Sequence, residues 1–281
     1  MAVHQSRGEE QAALWNGEGG NAWVELHEVL DGMLAPLGEA LLDSVTIHPD
    51  GHVLDVGCGT GATTVDIAAL LGERGRSLGI DISATMLAAA RTRAEQAGRM
   101  AHFVQGDAQT YPFEPARFDA VISRLGVMFF DDPVEAFTNL HRAARPGAQL
   151  RFLAWRGAGD NPFMTTAERA AAPLLPQLPA RDPDAPGQFA FADAHRVQNI
   201  LDRSGWSDID LSRVDVACSL PQDQLMRYLA SMGPVGRVLS QADDQTRRRV
   251  LDVVRDAFDP FIHDGDVRYT AACWLVAASR T

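Results

Sequence analysis

The chain has 281 residues, of which 46% are hydrophobic, and it carries a formal net charge of −12. Its length fits one α/β domain with a sizeable elaboration, and its apolar content is enough for a packed core. An acidic chain repels phosphate backbones, so nucleic acid is a poor candidate partner.

Targeting and crosslinking features are missing from the sequence. No stretch reaches 18 apolar residues, and residues 1–10 lack the apolar segment of a signal peptide. Cys58, Cys218 and Cys273 are far apart and form no Cys-x-x-Cys pair. We therefore expect a cytoplasmic protein with no membrane partner, no disulfide framework and no metal site.

The N-terminal segment, residues 1–45, predicts a helical cap. Trp15, Trp23 and Leu30 recur at broadly helical spacing within residues 9–45. The run Asn-Gly-Glu-Gly-Gly at 16–20 is expected to interrupt these helices, because glycines favour turns.

Strand and helix patterns alternate through residues 46–156, which we interpret as the core of the domain. The expected strands are 52–56, 77–81, 102–104, 118–123 and 150–155, and the expected helices are 61–71, 83–97 and 133–144. This βαβ alternation predicts parallel strands joined by crossover helices.

After Trp155 the pattern changes. Residues 157–192 are rich in Pro, Ala and Gly and predict an irregular lid insertion. A helix is expected at 193–204 and a strand at 208–216. A second, helical insertion at about 221–264 (helical over 221–259) precedes a final strand at 267–277. Residues 157–281 thus complete the sheet and carry both insertions.

A glycine-rich loop, Asp-Val-Gly-Cys-Gly-Thr-Gly at 55–61, follows the first strand and opens the first helix. The glycines allow a sharp turn and let a ligand approach the backbone, and the helix N-terminus adds hydrogen-bond donors. Alone, such a loop is weak evidence, but its place between a strand and a helix supports nucleotide binding.

Two acidic residues at later strand ends extend this site. Asp81 ends the second strand, where a carboxylate can accept hydrogen bonds from both hydroxyls of a ribose. Asp107 follows the third strand and can accept from an adenine amino group. A dinucleotide loop would carry a third Gly or Ala where Ala62 stands, so the loop alone leaves an NAD-dependent oxidoreductase open.

Five segments in order decide between these alternatives: 53–61, 79–87, 106–108, 118–121 and 142–147. Together they resemble class I S-adenosylmethionine-dependent methyltransferases, and Trp15-Asn16 with Trp23 is similar to the stand-alone bacterial small-molecule type. The resemblance implies a Rossmann-like seven-stranded α/β sheet with the last strand antiparallel, and S-adenosylmethionine as cofactor.

The resemblance also implies a set of cofactor-binding residues. They are Trp15, Trp23, Asp55, Gly57, Gly59, Thr60, Gly61, Asp81, Ile82, Met86, Asp107, Ala108 and Ser123. In this assignment the glycine loop follows the methionine portion, and Asp81 holds the ribose. Ile82 and Met86 contact the adenine, whose edge Asp107 and Ala108 reach, and the carbonyl of Ser123 meets the cofactor amine.

The acceptor pocket is expected at the carboxyl ends of the strands, beneath the cap and the insertions. Its candidate lining residues are Arg124, Met128, Trp155 and Phe163, and the candidate general bases are His27 and His263. Both histidines can instead be surface or structural residues. A general base is not always needed, since alignment of the reactants can supply most of the rate.

Aromatic residues near this pocket favour a small, flat aromatic or indole-like acceptor, such as a bacterial natural product intermediate. A protein that binds the cofactor without transferring a methyl group, as a regulator or as a catalyst of other chemistry, is the alternative. An NAD-dependent oxidoreductase has less support. A monomer and a homodimer are both open.

Overall fold

A computed structural model describes residues 7–182 and 185–281. Its strands are β1 His52–Val56, β2 Arg76–Asp81, β3 Ala101–Gln105, β4 Phe118–Arg124, β5 Ala144–Trp155, β6 Ser207–Pro221, β7 Ile262–His263 and β8 Asp266–Ser279. They form one sheet in the order β3-β2-β1-β4-β5-β8-β6, and the two-residue β7 pairs with β8.

The sheet is parallel from β3 through β5, and β8 runs antiparallel to both of its neighbours, β5 and β6. The prediction of a Rossmann-like sheet with an antiparallel last strand is confirmed. Since parallel strands end at one edge, the loops after β1, β2, β3 and β4 lie side by side there.

Eleven α-helices occur in the described chain. They are α1 Arg7–Asn16, α2 Glu18–Glu25, α3 His27–Asp43, α4 Ala62–Leu70, α5 Ala84–Gln96, α6 Pro133–Ala143, α7 Pro162–Ala171, α8 Ala194–Arg203, α9 Leu225–Ser231, α10 Gly233–Ser240 and α11 Asp244–Ala257. Two core helices begin at side-chain caps, Ser83 accepting from Met86 N and Asp132 from Glu135 N.

The interruption of the N-terminal helices expected at residues 16–20 is shorter than predicted. Only Gly17 separates α1 from α2, and residues 18–20 are already helical. A Cβ at Gly20 would stand 2.0 Å from the carbonyl oxygen of Trp15. These glycines therefore allow two helices to meet closely, and they do not form a long loop.

The first insertion also departs from the prediction, because α7 occupies residues 162–171 of the segment expected to be irregular. Pro162 stands at the start of this helix, where proline is favoured. Just before it, the buried amide of Asn161 accepts from Ala272 N (2.9 Å) and donates to Ala272 O (3.0 Å) in β8. These two bonds fix where α7 begins.

The two insertions form one helical unit, since α7 packs against α10 and α11, and α9 packs against both as well. The ring of Phe163 lies parallel to that of Tyr269 at 3.9 Å and edge-on to those of Phe258 and Phe261. Aromatic packing of this kind stabilises the unit on β8.

The cap meets this helical unit above the carboxyl edge of the sheet. Arg227 of α9 donates to Glu25 O at 2.8 Å, and the hydroxyl of Ser240 in α10 lies 3.5 Å from the Glu18 carboxylate. The contact closes the space over the strand ends. Within residues 7–182 and 185–281, no helix has the length and apolar character needed to cross a membrane.

Candidate functional site

A cavity of about 910 Å³ lies at the carboxyl edge of the sheet, at the upper end of the range for small-molecule sites. Two groups of its lining residues concern the site, and charged side chains, among them Glu168, Arg181 and Arg237, line other parts of it. We call residues 55–60, 80–82, 86 and 106–108 the strand-end arm. We call the more apolar group the helical chamber: Leu30, Met33, Leu34, Met128, Trp155, Phe163, Met164, Tyr228, Met232 and Phe258.

The glycine loop forms the middle of the strand-end arm. Gly57, Gly59 and Gly61 all have positive φ (67°, 54° and 80°), which glycine adopts without strain. A Cβ at Gly59 would make only ordinary van der Waals contacts, 3.8 Å from Sδ of Met86 and 3.9 Å from Nε1 of Trp23. Gly61 does not line the cavity, and a Cβ there would point inward and lie 2.8 Å from the Cβ of Ala90.

Asp81 presents its carboxylate from the end of β2. One oxygen accepts from Gly59 N at 2.8 Å and the other from Ser83 N at 2.9 Å. The side chain is 8% exposed, and burial raises the pKa of Asp81 while its backbone hydrogen bonds oppose the rise. Each carboxylate oxygen keeps accepting capacity, so Asp81 can receive hydrogen bonds from a diol in the cavity.

Asp55 lies at the neighbouring strand end and is 1% exposed. It accepts a hydrogen bond of 2.6 Å from the hydroxyl of Thr64. Burial raises the pKa of Asp55 to about 6, a rise opposed by the Thr64 bond and the positive charge of Arg124. The arm thus holds two buried carboxylates that a ligand can contact.

The far end of the arm is built by the loop after β3. Asp107 accepts from Gln109 N at 2.9 Å and lines the cavity together with the buried Ala108. Ile82 and Met86, which were assigned to the same portion of the ligand, also line it. The structure therefore brings these four residues together with Asp81.

The cap covers the arm with two indole rings. Trp15 and Trp23 both line the cavity and meet edge-on at 6.1 Å, and Trp15 meets Phe129 edge-on at 5.2 Å. Asn16 ties the cap down, since its amide donates to Ile82 O (3.0 Å) and accepts from Ala84 N (2.9 Å). Asn16 had no assigned role, although the Trp-Asn pair was part of the resemblance.

Four candidates lie outside the cavity lining, namely Gly61, Ser123, His27 and His263. The Ser123 hydroxyl donates to Val56 O (2.7 Å) and accepts from Gly126 N (3.1 Å), so this side chain joins β4 to β1. The assignment of its carbonyl to the cofactor amine stays a prediction.

Neither histidine is placed to act as a base in this cavity. His27 lies at the start of α3 with Nδ1 2.8 Å from Val24 O. His263 is exposed on β7, in the hairpin that leads into β8. Residue type alone suggested these two, and neither side chain reaches the cavity, so the structure does not support their assignment as bases.

The acceptor candidates Arg124, Met128, Trp155 and Phe163 all line the cavity. Trp155 and Phe163 are only 4% and 2% exposed, so most of their surface is used in packing. The sequence prediction did not include Tyr228 of α9. Its hydroxyl has no hydrogen-bond partner among the described residues, and burial raises the pKa of Tyr228 to about 12. At neutral pH it is a hydrogen-bond donor.

Residues 53–147 match the family of the methyltransferase domain. The match covers β1 through the start of β5, which includes the glycine loop, Asp81 and Asp107. This domain belongs to the class I S-adenosylmethionine-dependent methyltransferases. The predicted family is confirmed, and so is the cofactor of the class, S-adenosylmethionine. The oxidoreductase alternative is thereby set aside.

Relatives of this methyltransferase domain are found in several bacteria. An uncharacterised protein of Mycobacterium tuberculosis is 32% identical over 170 residues, which are 60% of this chain and 58% of that protein. Demethylmenaquinone methyltransferase of Lactiplantibacillus plantarum is 35% identical over 108 residues, 38% of this chain and 46% of that protein. In both cases the match spans less than two thirds of the relative's length.

Solved structures of similar fold include phosphoethanolamine N-methyltransferase 2 of Haemonchus contortus in complex with S-adenosyl-L-methionine. It is 17% identical, with a TM-score of 0.58, and the match covers 99% of this chain and 60% of that one. The 4+2 cyclase SpnF is 18% identical, with a TM-score of 0.55 and coverage of 92% and 94%. At these identities the likeness concerns the fold alone.

Proposed function

We propose that this protein transfers the methyl group of S-adenosylmethionine to a small-molecule acceptor held in the helical chamber. The observation that carries the proposal is the continuity of one cavity, in which a polar strand-end arm opens into an apolar chamber. When bound, the cofactor supplies a methyl carbon on a sulfonium that is already activated towards nucleophiles.

The residues of the arm suit this cofactor. Asp81 has accepting capacity for two ribose hydroxyls, and Gly59, which lines the cavity without a side chain, lets a ligand approach the backbone. The cap residues Trp15 and Trp23 line the arm, and in the proposed reaction they shield the sulfonium from water, which favours methyl transfer over side reactions.

The helical chamber favours a largely apolar acceptor. Its side chains are mainly Leu, Met and aromatic residues, and the Tyr228 hydroxyl is available as a donor to an acceptor oxygen or nitrogen. These features support a flat aromatic or indole-like compound, such as an intermediate of bacterial natural product synthesis. Apolar pockets with a few placed polar groups bind such ligands.

No histidine is required by this proposal, because alignment of an acceptor nucleophile with the methyl carbon can supply most of the rate. The free, buried Cys58, Cys218 and Cys273 fit a reducing compartment, so a cytoplasmic location is part of the proposal.

A second candidate function is cofactor binding without methyl transfer. It is favoured by one observation, the likeness in fold to a protein named as a 4+2 cyclase. A shared fold does not imply a shared reaction, so the product must decide.

The deciding experiment follows S-adenosylhomocysteine by mass spectrometry. The purified protein is incubated with S-adenosylmethionine and, separately, with indoles, phenols, quinols and aliphatic amines. Methyl transfer predicts acceptor-dependent S-adenosylhomocysteine together with an acceptor that is heavier by one methylene unit. Tight binding of the cofactor with no product across the panel and in metabolite extracts would favour the second candidate.

A further inference from the structure

Arg124 is the last residue of β4 and lies at one end of the row of strand ends. In the order β3-β2-β1-β4, the residues that follow or end each strand are Asp107, Asp81, the glycine loop and Arg124. A ligand with its base near Asp107 and its ribose at Asp81 must extend over the glycine loop towards Arg124.

The guanidinium of Arg124 has few hydrogen-bond or ion-pair partners. A guanidinium has five N–H donors. Among the described residues, the one bond that Arg124 makes is to Leu34 O at a long 3.4 Å, and no carboxylate lies within 4 Å of it. The nearby Asp31 is paired with Arg93 instead.

Arg124 lies in the wall of the cavity and is partly buried. Loss of hydration lowers the pKa of Arg124, while the negative charges of Asp31, Asp55 and Asp66 oppose the fall. A partly buried cation with no paired anion leaves N–H donors free, and an anionic ligand group can accept charge-assisted hydrogen bonds from them. Since Arg124 also lines the cavity, such a group can reach it.

Asp55 supplies the complementary charge. Asp55 lies in β1, which is paired with β4, and it is close enough to Arg124 for the two charges to interact. The partly buried positive side chain and the buried negative one at this end of the arm match the two charges of an α-amino acid. The amino-acid portion of S-adenosylmethionine carries such an ammonium and carboxylate.

We propose that Arg124 binds the carboxylate of the cofactor's amino-acid portion, with Asp55 facing the ammonium. This inference rests on the proposed function, and it replaces the interpretation of Arg124 as an acceptor-binding residue. The positive charge of Arg124 then acts on cofactor affinity and not on the acceptor.

The test compares two ligands that differ only by the carboxylate: S-adenosylhomocysteine and its decarboxylated analogue, S-adenosyl-3-thiopropylamine. Both are titrated calorimetrically into the wild-type protein, Arg124→Met and Arg124→Lys. We expect Arg124→Met to weaken the binding of S-adenosylhomocysteine by about 30- to 100-fold, because charge-assisted hydrogen bonds to the carboxylate are lost. Binding of the decarboxylated analogue should weaken by less than about threefold. Arg124→Lys should lose less affinity than Arg124→Met, since lysine keeps the positive charge but cannot donate the two parallel hydrogen bonds of a guanidinium.

A second variant tests the same contact with the charge retained. A Cβ at Gly38 of α3 would stand 3.3 Å from Nη1 of Arg124, so Gly38→Ala shifts the guanidinium by a few tenths of an ångström. We expect a smaller loss that is again confined to the carboxylate-bearing ligand. Gly32→Ala is the matched control, because nothing lies within 4 Å of a Cβ there.

Three results would overturn the inference. They are equal losses for both ligands, no loss in Arg124→Met, and a loss seen only in the KM of an acceptor. If the wild-type protein binds neither ligand, both the inference about Arg124 and the proposed function fail. If it binds S-adenosylhomocysteine but methylates nothing, the assignment of Arg124 stands while the proposed function falls.

Discussion

The backbones of Gly57 and Gly126 touch at the floor of the cavity, so closely that a Cβ on either residue would lie 2.8 Å from the Cα of the other. Gly57 begins the loop after β1, and Gly126 lies in the loop after β4. Two neighbouring parallel strands thus end in direct backbone contact. The position of the glycine loop therefore depends on a residue nearly seventy positions further along the chain.

Gly126→Ala tests this contact. Gly126 has an ordinary φ of −85°, so the expected defect is steric: the new Cβ would meet Val56 O at 2.7 Å. We expect a loss of about 1–3 kcal/mol in the free energy of unfolding. Displacement of the glycine loop should also weaken S-adenosylhomocysteine binding at least about tenfold.

Denaturant unfolding and calorimetric titration measure the two effects. The matched control, Gly32→Ala, replaces a glycine in α3 with open space around it and should stabilise the protein by about 0.5–1 kcal/mol. Normal affinity and stability in Gly126→Ala would show that the loop tolerates a shift.

Asn16→Ala tests how the cap is held over the cofactor. The variant loses two hydrogen bonds to the segment after Asp81, and each such bond is worth about 0.5–1.5 kcal/mol. We expect the Kd for S-adenosylhomocysteine to rise about fivefold to thirtyfold, with little change in global stability. Asn199→Ala, an exposed asparagine of α8, is the control. Equal affinities in the two variants would remove Asn16 from this role.

Tyr228→Phe separates acceptor contacts from cofactor contacts. The hydroxyl has no protein partner among the described residues, so its loss should not destabilise the fold. Once an acceptor is known, we expect kcat/KM for it to fall about 5- to 100-fold, with unchanged cofactor affinity. His263→Ala, which alters an exposed side chain, should leave both constants within about twofold. A large defect in His263→Ala would contradict the placement of the chemistry in this cavity.

The pH dependence of cofactor binding follows from Asp55. Its pKa is raised to about 6, so near pH 6 the cofactor-free protein carries a partly protonated carboxyl there. A ligand ammonium favours the ionised form, so binding should release up to about half a proton at pH 6 and almost none at pH 8. Titrations in buffers of different ionisation enthalpy measure this release, and Asp55→Asn should abolish it.

The same raised pKa has a consequence for folding. The folded protein holds this proton more tightly than the unfolded chain does, so Asp55 contributes stability at low pH that is lost as the pH rises from about 4 through 6. In Asp55→Asn this part of the pH dependence of the unfolding free energy should disappear. An unchanged profile would place the titration elsewhere.

The parts of the site that could be predicted from the sequence are those formed by short, continuous segments of the chain. The turn at 55–61, Asp81 and Asp107 each follow a strand whose pattern is clear, and parallel pairing brings strand ends together. The sheet order then follows from a family whose motifs occur in sequence over residues 53–147.

The remainder depends on contacts between distant segments. Tyr228 belongs to an amphipathic helix like many others, and only the packing of α9 over the cavity gives its hydroxyl a role. The start of α7 relies on Asn161 bonding to Ala272, 111 residues away. The histidines were suggested by residue type, which carries no information about where a side chain points.

Whether the strand ends bind the cofactor is tested by a calorimetric titration of wild-type protein and Asp81→Asn with S-adenosylhomocysteine, with NADH as the control ligand. We expect micromolar binding to the wild type, a loss of at least about 100-fold in Asp81→Asn because two charge-assisted hydrogen bonds are removed, and no binding of NADH. Absence of S-adenosylhomocysteine binding to the wild type, or full affinity in the variant, would contradict the account of the strand ends as the cofactor site.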